Sequence, residues 1–269
     1  MTLPYTGLNP VCRALAREQS LSKKLRAYPR ISGPECEVVL VGRPIRRPKR
    51  LPFPLMVKSL TQEASIGISQ ASVVDSDDKL KERVAFIHES IGTAAIVEQY
   101  IEGRELYVGI LGNQTLQAMP VWELFFTNMP EGAKRIATDR VKWSVKYQKK
   151  YGIDSGQATE LTDSQAERIQ HLCKRAYRAL ELSGYARIDL PLDLRGNPRV
   201  LEANPNPQIA NGEDFAASAH KIEISHEPWN QRLITPGLTW QPELIEYSHA
   251  TPPPRTPTPP PARPHPPAP

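Results

Sequence analysis

The stretch from Ala186 to Ile209 constrains the fold of this 269-residue chain more than any other, because two apolar runs flank one short polar turn. It reads ARIDLPLDLRGNPRVLEANPNPQI. Glycine tolerates the positive φ that a tight hairpin turn requires, so we place the turn at Arg195-Gly196. This interpretation pairs Leu194 with Asn197 and predicts a β-hairpin.

The register of this hairpin decides which side chains meet. It places Asp189 opposite Glu202. Two residues further from the turn, it places Arg187 opposite Asn204. Because side chains alternate along a strand, all four lie on one face. Directly opposed Cβ atoms lie roughly 5 Å apart, so the two carboxylates would repel each other.

A hard divalent cation removes that repulsion, and Asp, Glu and Asn oxygens are the ligands that magnesium prefers. We therefore predict a metal site at Asp189, Glu202 and Asn204. Arg187 beside it would stabilise a developing negative charge. The alternative is a solvated hairpin face with chance charges, which the apolar residues between the polar ones disfavour.

The rest of the chain mixes strand pairs with single helices, which predicts an α+β fold rather than a regular parallel sheet. Strands are predicted at Glu37–Val41, Leu55–Val57, Ala95–Ile101, Glu105–Leu111, Tyr185–Leu192 and Arg199–Ala203. Helices are predicted at Pro10–Ala27, Ser76–Ile91 and Thr162–Ser183.

Capping residues and composition set the boundaries in the second half. Thr162 and Gln165 have the spacing of a capping box at the start of the third helix. Gly184 follows that helix in the place of a C′ glycine. The polar, lysine-rich segment from Asn128 to Gly156 predicts a long functional loop.

Composition excludes several classes of protein. With 39% hydrophobic residues the chain can bury a core, and its net charge of +5 suits an anionic small ligand or simple solubility. Basic and aromatic residues are not interleaved, so we do not expect nucleic-acid binding. Three scattered cysteines indicate reduced thiols in a cytoplasmic protein, and no apolar run reaches the length of a membrane span.

The motifs together carry a family likeness. The pattern R-x-D, a hairpin and L-E-A-N-P-N-P resembles the magnesium-binding signature of the ATP-grasp superfamily, especially the D-alanine–D-alanine ligases. Further similar segments follow in the same order, at Leu3–Gly7, Val57-Lys58, Ala64–Ile68, Val97–Leu106, Val141–Trp143 and Gly212–Phe215. The likeness covers roughly Leu3 to Ala219.

The resemblance implies an ATP-grasp fold, in which two α+β subdomains with antiparallel sheets and packed helices clasp ATP. We expect a central, nucleotide-clasping subdomain at residues 1–110 and a C-terminal, metal-binding subdomain at 111–240. Residues 241–269 are expected to form a disordered tail, since their prolines can form neither a helix nor a ladder.

The resemblance also implies the phosphate contacts. Lys58 would lie against the α and β phosphates. The small residues around Ser65 and Gly67 would let backbone N–H groups approach phosphate closely. Lys142 would close over the γ-phosphate.

The adenosine contacts follow from the same likeness. Glu98 would accept a hydrogen bond from the adenine amino group, and the backbone of Gln99 and Ile101 would hold the ring edge. Glu105 would accept from the ribose hydroxyls. The cofactors implied are ATP and Mg²⁺, or Mn²⁺.

The activity that the resemblance implies is ATP-dependent ligation of a carboxylate to an amine through an acyl-phosphate. Arg187 and Lys142 would be the catalytic residues. A small amino acid or carboxylate would be the substrate.

Five departures from the family pattern alter this expectation, the first being Ala64 before Ser65, where the ligases usually have paired serines. Trp143 follows the loop lysine where the ligases have tyrosine, and Glu213 stands where a serine would hold the second amino acid's carboxylate. Gln19 replaces a phosphate-contacting lysine, and the chain starts after the family's N-terminal subdomain. We therefore expect an acceptor other than D-alanine. The alternative is an ATP- and magnesium-binding module, part of a split or truncated ligase, with a partner chain as N-terminal subdomain; a homodimer also stays open.

Overall fold

The computed structural model describes Thr6 and residues 31–62, 65–222 and 226–239. Several sequence-based predictions fall outside these residues, namely the Leu3–Gly7 segment apart from Thr6, the helix from Pro10 to Ala27 with Gln19, Ala64, and the proline-rich tail.

Ten strands and six α-helices make up the described part of the chain. The strands are β1 Cys36–Val39, β2 Leu55–Ser59, β3 Val73–Val74, β4 Ala95–Gln99, β5 Gly103–Leu111, β6 Gln117–Ala118, β7 Trp122–Phe126, β8 Ile153–Gln157, β9 Tyr185–Asp193 and β10 Glu202–Asn204. The helices are α1 Asp77–Phe86, α2 Asp139–Trp143, α3 Val145–Tyr151, α4 Asp163–Ala179, α5 Asp214–His220 and α6 His226–Thr239.

The strands form two sheets whose pairs are all antiparallel. The first has the order β1-β4-β2-β3, and the second the order β10-β9-β5-β7-β8, with β6 paired to β5. The α+β prediction with antiparallel sheets is confirmed. The first sheet ends at Gln99 and the second begins at Gly103. The subdomain boundaries at 110 and 240 stay a prediction.

Alternation along each strand separates the side chains that pack against the helices from those on the opposite face of the sheet. In the first sheet Val57 and Val97 pack against α1, which leaves Lys58 and Glu98 on the other face. In the second sheet the apolar face packs against α4, for example through Ile188. The polar residues of interest therefore lie on the faces that these helices do not cover.

The predicted hairpin register is confirmed at the polar positions. Asp189 pairs with Glu202, and Arg187 pairs with Asn204. Leu201 also donates its N–H to the Asp189 carbonyl at 2.9 Å, so two consecutive residues lie opposite Asp189. This is a β-bulge, a feature that re-aims side chains next to functional sites.

The predicted pairing of Leu194 with Asn197 is wrong. Asp193 pairs with Asn197 instead, its N–H donating to the Asn197 carbonyl at 3.1 Å. Gly196, with φ 75°, donates to the Asp193 carbonyl at 2.8 Å and ends a three-residue turn. The turn displaces the register by one residue, and the bulge at Leu201 restores it.

The third predicted helix is real but shorter. Its capping box is confirmed, because Thr162 and Gln165 each accept from the other's backbone N–H. The helix ends at Ala179, and Glu181 takes the left-handed conformation with φ 54°. Glu181 and Leu182 donate to the carbonyls of the last turn, as in a Schellman motif. Gly184 is therefore not the C′ residue.

The segment from Asn128 to Gly156 is not a continuous loop. It contains α2 and α3, whose N-termini are capped by the Thr138 and Ser144 side chains, and most of β8. Both helices are short and largely exposed, so their polar composition resembles that of a loop. The helix predicted to open at Gly212–Phe215 begins at Asp214, and α6 follows it. Within the described residues, no helix has the length and apolarity needed to cross a bilayer.

Candidate active site

One row of side chains crosses the whole second sheet on the face that α4 leaves uncovered. Direct pairing from strand to strand aligns Glu202, Asp189, Tyr107, Trp122 and Gln157. Neighbouring strands lie about 4.8 Å apart, so these side chains form a continuous row. We call this face of the sheet the floor of the candidate site. The Trp122 indole N–H is buried there without a hydrogen-bond partner among the described residues.

Arg187 holds Asp189 in a bidentate ion pair. Its Nε and Nη2 donate to Asp189 Oδ1 and Oδ2 at 2.7 and 2.8 Å. The guanidinium also stacks over the Tyr107 ring, 4.7 Å from its centroid. Burial opposes the charged guanidinium, but the Asp189 carboxylate outweighs burial and raises the pKa of Arg187. The arginine is thus a fixed, permanent cation beside the hairpin carboxylates.

A third carboxylate, Glu105, shares this face. Tyr107 donates its hydroxyl to Glu105 Oε1 at 2.8 Å. Burial raises the pKa of Glu105, the Tyr107 hydrogen bond and Lys142 oppose this, and Asp189 and Glu202 raise it further. The pKa of Asp189 is also raised, first by burial and then by Glu202, although Arg187 opposes this.

Burial is the largest cause of these raised pKa values, and the neighbouring carboxylates add to it. Two carboxylates and the Asn204 amide offer hard oxygen donors on adjacent strands, and the Asn206 N–H orients the Asn204 Oδ1 at 3.0 Å. A divalent cation would relieve the repulsion between the carboxylates, so the residues fit magnesium. The described residues form no group of three His, Cys, Asp or Glu suited to a metal. A cation here would therefore depend on the Asn204 amide and on phosphate oxygens.

The first sheet contributes a buried ion pair. Lys58 Nζ lies 3.0 Å from Glu98 Oε2, and their side chains are 8% and 4% exposed. Burial works to lower the pKa of Lys58, but Glu98 and Glu202 outweigh it and raise the pKa. The contribution of Glu202 shows that the Lys58 ammonium lies within electrostatic range of the hairpin carboxylates.

Residues 65–72, which we call the phosphate loop after the role expected from the sequence, have a tightly turned backbone. Ser65 has φ 63° and Gly67 has φ 74°, both in the left-handed region. Ser65 donates its hydroxyl to the Ala137 carbonyl at 2.7 Å. On the other side, Arg83 of α1 donates to the Gly67 carbonyl and to Ser72 Oγ. The loop is therefore held on both sides.

The predicted adenosine residues lie where the first sheet passes into the second. The Gln99 N–H donates to the Glu35 carbonyl at 2.7 Å, so that N–H is not available to a purine. Ile101 is half-buried between β4 and β5. A cavity of about 160 Å³ opens beside Glu105, bordered by Phe126 and Arg135 among others.

Lys142 lies on α2, and its charge partly offsets the rise in the pKa of both Glu105 and Asp189. Trp143, the next residue, is 57% exposed. The Ser155 hydroxyl donates to Asp214 Oδ1 at the start of α5. The Asp214 carboxylate in turn contributes to the raised pKa of Arg187.

The structure thus brings Arg187, Asp189, Glu202 and Glu105 together on one face of the second sheet. The charges of Lys142 and Lys58 act on these carboxylates. Sequence reasoning missed Tyr107 and Asp214. Tyr107 was detectable, because it lies two residues from Glu105 on one strand and so shares its face. Asp214 lies within the Gly212–Phe215 segment of the family likeness, but only tertiary packing brings α5, and Asp214 with it, to the sheet.

Comparison with known proteins yields one family model, described as "D-ala D-ala ligase C-terminus", which matches residues 45–235. The D-alanine–D-alanine ligase of Bordetella petrii is 30% identical over 230 residues, covering 83% of this chain and 65% of that protein. The uncharacterised protein y4sG of Sinorhizobium fredii is 28% identical over 217 residues, covering 81% and 61%. The chain thus spans slightly less than two thirds of these relatives.

Solved structures share the fold. The D-alanine–D-alanine ligase from Bacillus anthracis complexed with ATP superposes with a TM-score of 0.69 at 21% identity, covering 88% of this chain and 70% of that one. The VanG D-Ala:D-Ser ligase from Enterococcus faecalis gives 0.67 at 21% identity, covering 87% and 65%.

Proposed function

Because the chain belongs to the D-ala D-ala ligase C-terminus family, we propose that it is an ATP-dependent carboxylate–amine ligase. Its fold is the ATP-grasp fold of the solved ligases. The observation that supports the activity best is the opposition of Asp189 and Glu202, with the Arg187 guanidinium on one side and Lys58 within electrostatic range. Such a crowded pair is costly unless a cation and phosphate use it.

In the proposed reaction, an oxygen of the substrate carboxylate attacks the γ-phosphorus of ATP, and ADP leaves. The amine then attacks the acyl carbon, loses a proton and displaces phosphate. Magnesium, held by Asp189, Glu202 and Asn204, would neutralise phosphate charge when bound. Enzymes of phosphoryl transfer act mainly by positioning and charge stabilisation.

The chain's own residues divide this work. Lys58 would bind the α and β phosphates, and backbone N–H groups near Ser65 and Gly67 would hold them. Lys142 would neutralise the γ-phosphate. Arg187, held in place by Asp189 and Tyr107, would stabilise the charge that develops during the transfer.

The adenosine would lie at the junction of the sheets. Glu98 would accept from the adenine amino group, the Gln99 carbonyl and the Ile101 backbone would hold the ring edge, and Glu105 would accept from the ribose. The residue boundaries proposed for the two subdomains are 1–110 and 111–240.

We propose an acceptor other than D-alanine. Glu213 precedes α5 and is exposed, and a carboxylate there would repel the carboxylate of D-alanine. One protein of the same fold is a D-Ala:D-Ser ligase, which is consistent with an acceptor site that varies. The second candidate function is an ATP- and magnesium-binding module that requires a partner chain for turnover.

Phosphate release separates the two candidates. The full chain would be incubated with ATP, Mg²⁺ and a panel of amino acids, beside the double variant Asp189→Asn, Glu202→Gln. We expect release with at least one amino acid and none above background from the variant. Equal release from both proteins on every substrate would contradict the ligase function. ATP binding without release would support the module.

A further inference from the structure

The Gln70 side chain ties the phosphate loop to the segment that leads into α2. Its Nε2 donates to the Lys134 carbonyl at 2.9 Å, and the Lys134 N–H donates to Gln70 Oε1 at 2.8 Å. One side-chain amide thus makes both hydrogen bonds of a strand pairing with a single backbone residue. Asn and Gln can do this because a carbonyl acceptor and an NH2 donor lie side by side on their planar amide.

Two further contacts connect residues 134–137 with the part of the chain that contains the first sheet. Ser65 of the phosphate loop donates to the Ala137 carbonyl at 2.7 Å. Lys134 places its Nζ over the Tyr100 ring, 5.7 Å from the centroid. Residues 134–137, which follow β7 of the second sheet, are therefore held at three points by Ser65, Gln70 and Tyr100, which lie in the connections of the first sheet.

Hydrogen bonds hold the backbone turn that carries Gln70. Gln70 begins a short 3₁₀ turn, Gln70–Ser72, and the Ser69 N–H donates to Ser72 Oγ at 3.0 Å. Arg83, which is 7% exposed, donates to the same Ser72 hydroxyl at 2.9 Å. The turn that carries Gln70 is thus attached through Ser72 to Arg83 of α1, which packs against the first sheet.

The segment that Gln70 holds leads into α2, the helix that carries Lys142. Thr138, the residue after Ala137, caps α2 through the Val141 N–H at 3.3 Å. Lys142 follows on this one short helix, and its charge acts on Glu105 and Asp189. Fixing the backbone at 134 and 137 therefore fixes where α2 starts and where Lys142 lies.

We propose that Gln70 is a positioning residue, which fixes the start of α2, and with it Lys142, through the Lys134 backbone. The kinetic consequence rests on the proposed ligase function. The mechanical consequence does not, because it concerns the protein without substrate. Gln70 is exposed, so its substitution leaves the core intact.

Hydrogen exchange tests the mechanical part. Gln70→Ala removes both bonds to Lys134, and Gln70→Glu keeps only the acceptor for the Lys134 N–H. Gln117→Ala is the matched control, since it removes an exposed hydrogen bond, to Arg232 at 3.0 Å, on β6. In the ATP-free protein we expect the peptide containing Lys134 and Ala137 to exchange roughly three- to tenfold faster in Gln70→Ala. Gln70→Glu should be intermediate, and Gln117→Ala unchanged.

Kinetics tests the positioning part. With the substrate identified by phosphate release, we expect Gln70→Ala to lower kcat roughly three- to tenfold, because Lys142 acts on the transferring phosphate. Gln70→Glu should recover part of the loss. Unchanged exchange in Gln70→Ala overturns the proposal, and so does faster exchange with unchanged kcat. If the wild-type chain shows no turnover, the ligase function fails and the exchange measurement alone decides whether Gln70 holds the segment.

Discussion

At the scale of single residues, the site depends on charges that are buried in pairs. Lys58 and Glu98 are 7% and 3% exposed, and their strands place them diagonally across β2 and β4. Breaking a buried pair by removing one partner is strongly destabilising, because it leaves an uncompensated charge. Replacing both partners with apolar residues is often nearly neutral.

We predict that Lys58→Met lowers the free energy of unfolding by about 3 kcal/mol, because Glu98 loses its partner. The double variant Lys58→Met, Glu98→Leu should recover most of that loss. Urea denaturation without ATP or magnesium measures both. Lys79→Met, which breaks an exposed ion pair with Asp75, is the control and should leave the midpoint nearly unchanged. A double variant no more stable than Lys58→Met would refute the pairing.

At the scale of elements, α5 is seated against β5 where a glycine leaves room for it. A Cβ at Gly109 would lie 2.6 Å from Phe215 Cε2 and 2.9 Å from Met119 Cγ. Phe215 in turn packs against Trp229 of α6, with ring centroids 5.2 Å apart. The absence of one methyl group thus allows α5 to bring Asp214 to the site.

We predict that Gly109→Ala destabilises the protein by roughly 1–3 kcal/mol, because Phe215 must shift and α5 with it. Gly156→Ala is the matched control in the same sheet, since its Cβ would meet only Phe125 Cε2 at 3.5 Å. Denaturant midpoints of the two variants give the comparison. Equal midpoints would show that α5 is not seated by Gly109.

At the scale of the whole molecule, the floor makes stability depend on pH and on magnesium. Glu105 and Asp189 have pKa values raised above 4.5 and 3.8, chiefly by burial. Because the folded state holds these protons more tightly than the unfolded chain, the stability they contribute is complete at low pH. It is lost as pH rises through the folded pKa values.

We predict that magnesium raises Tm more at about pH 8 than at about pH 5, because the cation requires ionised carboxylates. Thermal unfolding at both pH values, with and without MgCl₂, checks this. The double variant Asp189→Asn, Glu202→Gln should show no magnesium effect, while Gln117→Ala should respond as the wild type does. A magnesium effect of equal size at both pH values would contradict the prediction.

Much of the site was predictable because its signals are local. Alternation along a strand placed Arg187 with Asp189, and the hairpin placed them opposite Asn204 and Glu202. The turn itself was mispredicted, yet the register held, since the bulge at Leu201 compensates for the displaced turn. Side-chain identity at the turn could not reveal the bulge, which depends on how β10 meets β9.

The sequence by itself therefore determined the α+β class, the capped helix at Thr162 and the faces on which the hairpin carboxylates lie. Tertiary structure alone decided that Tyr107 and Trp122 continue the row of Asp189, that Lys58 pairs with Glu98, and that Gln70 meets Lys134. The physical reason is range. Side-chain alternation and capping depend on neighbouring residues, whereas these contacts form between distant segments once two sheets bury their apolar faces.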